Sequence, residues 1–438
     1  THHTMLLGKI DGDSSERLED RVARYALTLE AGSPEEEAIF QWGYLALNDP
    51  RGQERVKDWV TFKFPERVDH AALVDTKEAS FQGIPVKIGT RPNRRRDGFA
   101  LTDHRMDKRE VASEIAYCKY CHDHDGDFCS IGFPTKKGEP ELGFRDGPLG
   151  KPLVGCPLEE KISEMQRLEK DGFSIGALAI MMVEDPMVPA TGHRICNDCM
   201  KSCIYQRQEP VNIPQIETNI LTTVLDLPWG VELYDILARW NPLKREGYLP
   251  ADPNNRKVLV AGMGPAGFTM AHYLSQAGCY VAGVDGLKIE PLPQELLDNP
   301  VKEWSSLEEN LDERILYGFG GVAEYGITVR WDKNFLKLIY LTLARRQNID
   351  IYGGIRLGGT MMLEDAFELG FDHVSMAVGA GLPRVLKIEN SLAKGMKQAS
   401  DFLMAMQLTG AAKATSLATL QVRLPAVVIG GGLTAIDT

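Results

Sequence analysis

The sequence predicts two kinds of architecture in one chain: an all-α region followed by an α/β region built on a parallel sheet. Three observations carry that prediction. From Arg256 onward the pattern becomes strand, glycine turn, helix, strand, which is the α/β signature. A second strand-and-glycine-turn pattern stands at 426–435. Ahead of both, seven of the eight cysteines lie between Cys118 and Cys203, among segments of helical period.

Residues 1–115 read as a helical start followed by a loop-rich stretch. Asp13 and Glu16 fit a capping pair, and Leu18, Val22, Ala26 and Leu29 make one apolar stripe. Gly32 fits the stop of that helix. Ser33, Pro34 and Glu36 then start another, as cap, first-turn proline and return acceptor. The stretch from Phe64 to Arg109 is polar and broken by Pro and Gly, and Arg94-Arg95-Arg96 within it reads as a solvated loop. No chemistry is visible in this part.

Residues 116–255 hold the cysteines. Ile162, Met165 and Leu168 recur at core spacing, and Gly176 to Val183 is core-helix material. Asn241 to Asn255 is rich in Pro, Asn and charge and reads as a linker.

Residues 256–425 open with Lys257 to Ala261, a short buried strand. It enters Gly262-Met263-Gly264-Pro265-Ala266-Gly267, a helix follows to Ala277, and a second strand ends in Asp285, eighteen residues beyond Gly267. Each part has a physical task. Gly262 permits the tight turn. Gly264 lets backbone touch a pyrophosphate. Gly267 lets helix and strand pack closely. The helix N-terminus offers unpaired N–H groups to phosphate, and Asp285 can accept hydrogen bonds from a ribose. Pro265 and Ala266 after the second glycine favour FAD. Cys279, where the second strand begins, reads as a buried core thiol.

Residues 426–438 repeat the theme. Ala426 to Ile429 reads as an apolar strand, and Gly430-Gly431-Gly432-Leu433-Thr434-Ala435 is the G-x-G-x-x-A variant. This is the expected start of an NAD(P)-binding domain, incomplete within these residues, so the chain is expected to be part of a longer polypeptide. Two dinucleotide sites in one chain imply a flavin and a nicotinamide cofactor facing each other for hydride transfer.

Bulk properties narrow the function. The 438 residues are 43% hydrophobic and 25% charged, with formal net charge −12, so a general nucleic-acid-binding role has little support. No apolar run approaches the ~18 residues needed to cross a bilayer. No charged-then-hydrophobic leader stands at the start, and a cytoplasmic setting with reduced cysteines is expected.

The cysteines fall into Cys118-x2-Cys121-x7-Cys129, then Cys156-Pro157, and Cys196-x2-Cys199-x3-Cys203. Thiolate is the preferred ligand of a four-iron cluster. Paired Cys-x2-Cys motifs also bind zinc, and a thiol pair beside a flavin can be a redox disulfide. Beside two dinucleotide sites, single-electron carriers make the best chemical sense. Seven cysteines are one short of two four-ligand clusters. His122 and His124 read as polar loop residues.

The order of motifs resembles the small (beta) subunit of glutamate synthase and the similar module of dihydropyrimidine dehydrogenase. The resemblance rests on Cys156-Pro157-Leu158 leading into a helix, on Thr191-Gly192-His193-Arg194-Ile195-Cys196, and on Glu209-Pro210-Val211-Asn212-Ile213 with Ile216-Glu217. It also rests on Gly320-Gly321-Val322-Ala323-Glu324-Tyr325-Gly326-Ile327, on Phe371-Asp372-His373-Val374 to Gly379-Ala380, and on Gly430 to Asp437. The resemblance implies a helical iron–sulfur domain, then a Rossmann-like FAD domain with a Rossmann-like NAD(P) domain inserted. It implies two interleaved 4Fe-4S clusters. Cys118, Cys121, Cys129 and Cys203 would hold one; Cys156, Cys196, Cys199 and Glu217 would hold the other. FAD contacts are expected from Gly262, Gly264, Pro265, Ala266, Gly267, Asp285, Gly321, Tyr325, Gly326 and Gly379. NAD(P)H contacts are expected from Gly430, Gly432, Ala435 and Asp437. No side chain is assigned an acid or base role.

The expected function is an NAD(P)H-oxidising flavoprotein module, glutamate synthase beta subunit-like. It would pass electrons from FAD through both clusters to an electron-accepting subunit or C-terminal domain, itself FMN- or iron–sulfur-containing. One rival reading is a flavin-dependent disulfide reductase-like protein with structural zinc. The other is a non-catalytic assembly subunit.

Overall fold

The computed structural model describes residues 16–60, 63–91, 104–191, 196–247, 249–310, 313, 318–326, 332–380 and 382–438. Asp13, the Arg94-Arg95-Arg96 run, Gly192 to Ile195 and Ile327 lie outside them.

The centre of the all-α region is the helix Ile213–Leu225, of whose thirteen residues eleven are buried. Around it pack Lys108–Tyr117, Ile162–Lys170, Ser174–Glu184 and Gly230–Arg239. The apolar positions read from the sequence behave as core: Ile162 and Met165 are buried, and Ala177, Leu178, Met181 and Met182 close the interior. A helix buried on nearly every side is normally apolar all round. This one instead carries Gln215, Glu217, Thr218 and Asn219 into the interior.

Lys108–Tyr117 begins with a capping box. Asp107 accepts the Glu110 N–H at 2.8 Å, and Glu110 accepts the Asp107 N–H at 2.8 Å. The helix runs straight into Cys118 and so fixes where the first cysteine begins.

The α/β region is a four-stranded parallel sheet of order β5-β4-β3-β6, with β3 at Lys257–Ala261, β4 at Tyr280–Val284, β5 at Ile349–Tyr352 and β6 at His373–Met376. In order of appearance the strands stand 3-2-1-4, the half-sheet of a doubly wound dinucleotide fold. Registers are regular: Leu259 faces Ala282 and Val374. Asp372 fixes the last strand by accepting the Lys257 N–H at 2.8 Å, while its own N–H bonds to the Lys257 carbonyl. The segment between β4 and β5 is tied back to the helical region. Arg345 Nη1 donates to both oxygens of Glu232, at 3.0 and 3.1 Å, and the guanidinium also donates to the carbonyls of Leu296 and Asn299.

Three expectations need adjustment or correction. The first helix is Leu18–Leu27, with Arg17 at its cap and no side-chain cap bond, and Glu16 pairs with Arg24 instead. Leu18 and Val22 do pack on a small core of Trp42, Ala46, Val56 and Trp59. The polar stretch after Phe64 contains an antiparallel hairpin, β1 (Thr76–Phe81) and β2 (Ile84–Gly89). Its turn residues Gln82 and Gly83 both have positive φ, 51° and 81°, as a two-residue primed turn requires. Finally, Ala426 to Ile429 forms no strand: Val427 is 87% exposed, and no neighbouring strand offers a ladder among the described residues. The second cap did form as read, with Ser33 accepting the Glu36 N–H and Glu36 accepting the Gly32 N–H at 2.6 Å.

Candidate functional site: a glycine cradle beside two cysteine sets

The glycine turn after β3 divides its labour by position. Gly262 has φ +100°, and a Cβ there would stand 2.7 Å from the Ala377 carbonyl carbon. A Cβ on Gly267 would stand 2.7 Å from the Gly262 carbonyl carbon. Both glycines are bare because backbone already fills the space. Gly264 is different. A Cβ there would meet nothing nearer than 3.7 Å, and that neighbour is Gly321 Cα. It caps the helix Pro265–Gln276 without any side-chain cap bond, so the first N–H groups open onto this gap. Across it, Gly320 donates to the Met263 carbonyl at 3.1 Å, and Gly321 sits back to back with Gly264. Tyr325 and Gly326 follow at the end of the short helix Val322–Tyr325. Thus two distant glycine motifs meet in close backbone contact and form one wall of a cradle at the helix N-terminus. Its chemistry fits a pyrophosphate: glycine walls, open N–H groups and a helix N-terminus.

Asp285 closes one end. Its carboxylate accepts the Met263 N–H at 2.8 Å and the Leu287 N–H at 2.9 Å, leaving one lone pair on each oxygen for a ribose hydroxyl. Gly379, φ +76°, follows β6 with open space where a side chain would be. Ala377 just before it donates to the Ala261 carbonyl at 2.8 Å, so the chain leaves the sheet beside the cradle.

At 430–437 the turn and helix appear without their strand. Gly430 has φ +134°, and its Cβ position lies 3.5 Å from the Ala435 Cβ, the close approach that the third fingerprint position provides. Gly432 caps the helix Leu433–Asp437, in which Asp437 is buried.

The cysteines come from separate turns. Cys118 caps its helix, and its sulfur accepts the Tyr120 N–H at 3.4 Å. Cys121 opens a one-turn 3-10 helix, and Cys129 lies on Phe128–Ile131. The long insertion before Cys156 runs out and back as a narrow ladder, through the bridges Pro134–Phe144 and Asp146–Pro152. It returns so that the Cys156 N–H donates to the Cys129 carbonyl at 2.9 Å. Gly132 and Gly155 make this crossing possible: a Cβ on Gly155 would stand 2.8 Å from the Ser130 carbonyl carbon, and one on Gly132 2.6 Å from that of Val154.

Electrostatics sort the thiols. Burial pushes Cys118 up to about 12, and Cys203 and Cys121 add to it. Burial also raises Cys121 and Cys129, and Cys203 acts on both. Cys156 is pushed up to about 12 by burial, with Glu160 and Glu217 adding. Cys199 is raised by burial, then by Glu217, Cys156, Cys129 and Cys196. Several thiols thus lie within electrostatic reach of one another: Cys203 of Cys118, Cys121 and Cys129, and Cys156, Cys129 and Cys196 of Cys199. All eight cysteines are unpaired thiols, and Cys279 is a buried core residue as read. Among the described residues no three His, Cys, Asp or Glu groups are arranged around a single metal ion. The thiols are soft donors, which suit an iron–sulfur cluster or zinc. His122 pairs with Asp123 at 3.0 Å.

Glu217 is 8% exposed, and it is not alone. Glu160 hydrogen-bonds to it; burial and then the charge of Glu217 hold Glu160 above the usual carboxyl range, while burial and then Asp185 and Cys196 raise Glu217 against the lowering effect of the Glu160 hydrogen bond. Asp185, pushed up to about 6 by burial, accepts from Thr191 Oγ1 at 2.5 Å and from the Met187 N–H at 3.1 Å. The sequence reading missed Glu160 and Asp185. Glu160 follows the Cys156-Pro157 pair closely, but nothing in its neighbours marks it as buried.

Residues 256–438 match the family described as pyridine nucleotide-disulphide oxidoreductase. "Uncharacterized protein RP006" of Rickettsia prowazekii is 53% identical over 251 residues, 57% of this chain and 35% of that protein. The glutamate synthase [NADPH] small chain of Bacillus subtilis is 26% identical over 286 residues, 65% of this chain and 46% of that one. The chain is similar to the glutamate synthase small chains over part of its length. Glutamate synthase [NADH] of Schizosaccharomyces pombe is also 26% identical, over 58% of this chain and 10% of its own length. The chain therefore spans less than half the length of these curated relatives. No helix among the described residues is long and apolar enough to cross a membrane.

Proposed function

We propose that the chain is the electron-input module of an NAD(P)H-dependent oxidoreductase that holds FAD and two 4Fe-4S clusters and serves an electron-accepting subunit or domain. The observation that carries this reading is the Gly264–Gly321 cradle at a helix N-terminus in the same chain as seven unpaired cysteines of the helical region. When bound, FAD would supply a two-electron acceptor able to release electrons singly, and the clusters would supply one-electron steps.

The chain's own residues bind and position. Gly264 and Gly321 would admit the pyrophosphate, the N-terminus of Pro265–Gln276 would neutralise it, and Asp285 would hold a ribose. Gly379 would leave room beside the flavin. Cys118, Cys121, Cys129 and Cys203 would hold one cluster; Cys156, Cys196, Cys199 and Glu217 the other. Gly430, Gly432, Ala435 and Asp437 would begin the NAD(P)H site. The relation to glutamate synthase small chains supports a larger partner subunit.

Anaerobic purification followed by counting tests the proposal. Each chain should carry one FAD and about eight iron with about eight labile sulfide, two cubes of four. NAD(P)H should bleach the flavin in the full-length protein. Stoichiometric zinc without sulfide would refute the cluster assignment, and a protein that never takes up flavin would refute the module.

A further inference from the structure

The loop that follows β5 lies along the residues that follow β4. Gly354 donates to the Leu287 carbonyl at 2.7 Å, and Ile355 donates to the Asp285 carbonyl at 2.8 Å. These bonds deliver Arg356 to the outer side of Asp285. Its stem lies flat across Gly286: Cβ, Cγ and Cδ stand 3.2, 3.4 and 3.7 Å from the place a Gly286 side chain would begin. Any larger residue at 286 would push the arginine away. Arg356 is exposed, and its guanidinium has no ion-pair partner among the described residues. An arginine held in place along its stem and left unpaired at its head is set out for a ligand rather than for the fold.

The cradle says which part of the ligand arrives there. Phosphates belong at Gly264 and the helix N-terminus, and the ribose belongs at Asp285. The group beyond that ribose, at the carboxyl end of β4 and β5, is the adenine. A guanidinium is planar, weakly hydrated and stacks on aromatic faces, so it suits a purine better than a lysine would. Resting on the FAD reading above, we infer that Arg356 is the adenine-stacking residue of the flavin site.

The test is FAD affinity of refilled apoprotein for wild type, Arg356→Ala and Arg356→Lys, each at low and high salt, with far-UV circular dichroism and melting as folding controls. Loss of a stacked guanidinium should weaken FAD about three- to thirty-fold. The lysine variant should lose nearly as much as alanine, and the loss should persist in high salt. An unchanged Kd in Arg356→Ala overturns the inference. So does full rescue by lysine, or a loss that vanishes in high salt, because both mark a phosphate contact. If wild type itself takes no FAD, the flavin reading fails first, and that result is distinct from either outcome.

Discussion

Two alanine substitutions three residues apart should behave in opposite ways. Gly264 has φ −78° and ψ −170°, extended backbone open to any residue, and a methyl there would stand 3.7 Å from Gly321 Cα. Gly264→Ala should therefore change stability by no more than about 1 kcal/mol, chiefly through the poorer cap. The same methyl would stand beside the first N–H groups of the helix, where the proposed pyrophosphate would bind. Losing two charge-assisted hydrogen bonds at roughly 1.5 kcal/mol each removes about 3 kcal/mol of binding, on the order of a hundredfold in Kd. Gly267→Ala is the converse. Its methyl would press on the Gly262 carbonyl, 2.7 Å from the carbon, and should destabilise the domain by about 3 kcal/mol. Urea unfolding of both apoproteins and flavin titration of both refilled proteins measure the four quantities. If Gly264→Ala binds FAD within threefold of wild type, the cradle is not where the pyrophosphate lies.

Other perturbations reach other parts of the molecule. Glu217→Ala should lower iron from about eight to about four per chain and leave FAD unchanged, because each cube has its own four ligands; unchanged iron and unchanged low-temperature spin-resonance signals would make Glu217 a mere buried acid. Gly155→Ala should disturb the Cys129–Cys156 crossing, since its methyl would lie 2.8 Å from the Ser130 carbonyl carbon at φ +79°, so iron in both sets should fall while flavin is retained. His272 is fully buried, and its Nδ1 accepts from Arg346 at 2.9 Å. Burial first, then Arg346, hold it well below the ordinary 6.5. The unfolded chain then binds the extra proton, so this residue makes stability fall as pH drops below 6.5. The wild-type curve should be steeper than that of His272→Gln by up to about 1.4 kcal/mol per pH unit from 6.5 to 5, and superimposable curves in urea would contradict that.

The fingerprint was legible because its three glycines have three separate steric tasks, and each task leaves a residue-level trace. The parallel sheet followed from the same strand–helix–strand pattern. The hairpin at Thr76–Gly89 carries a local mark, Gln82-Gly83 at its turn, but its polar surroundings give it no apolar face to read. Asp107 and Glu110 mark a helix start by the same kind of local chemistry. Glu160 and Asp185 are another matter. Their burial depends on helices from distant parts of the chain, and an isolated Glu or Asp carries no sign of it. At Ala426 to Ile429 the apolar run promised a strand, yet a strand exists only with a neighbour to bond.

The ladder between Cys129 and Cys156 offers a practical opening. Its far end, Lys136-Lys137-Gly138, is exposed and held by its own short bridges rather than by the domain core. Loop-closure entropy grows only with the logarithm of length, so lengthening that tip changes little energetically. A single cysteine or a short tag grafted there would give the protein a handle. Through it the molecule could be fixed to a surface in one orientation, with Cys129 and Cys156 at the base of the attached ladder.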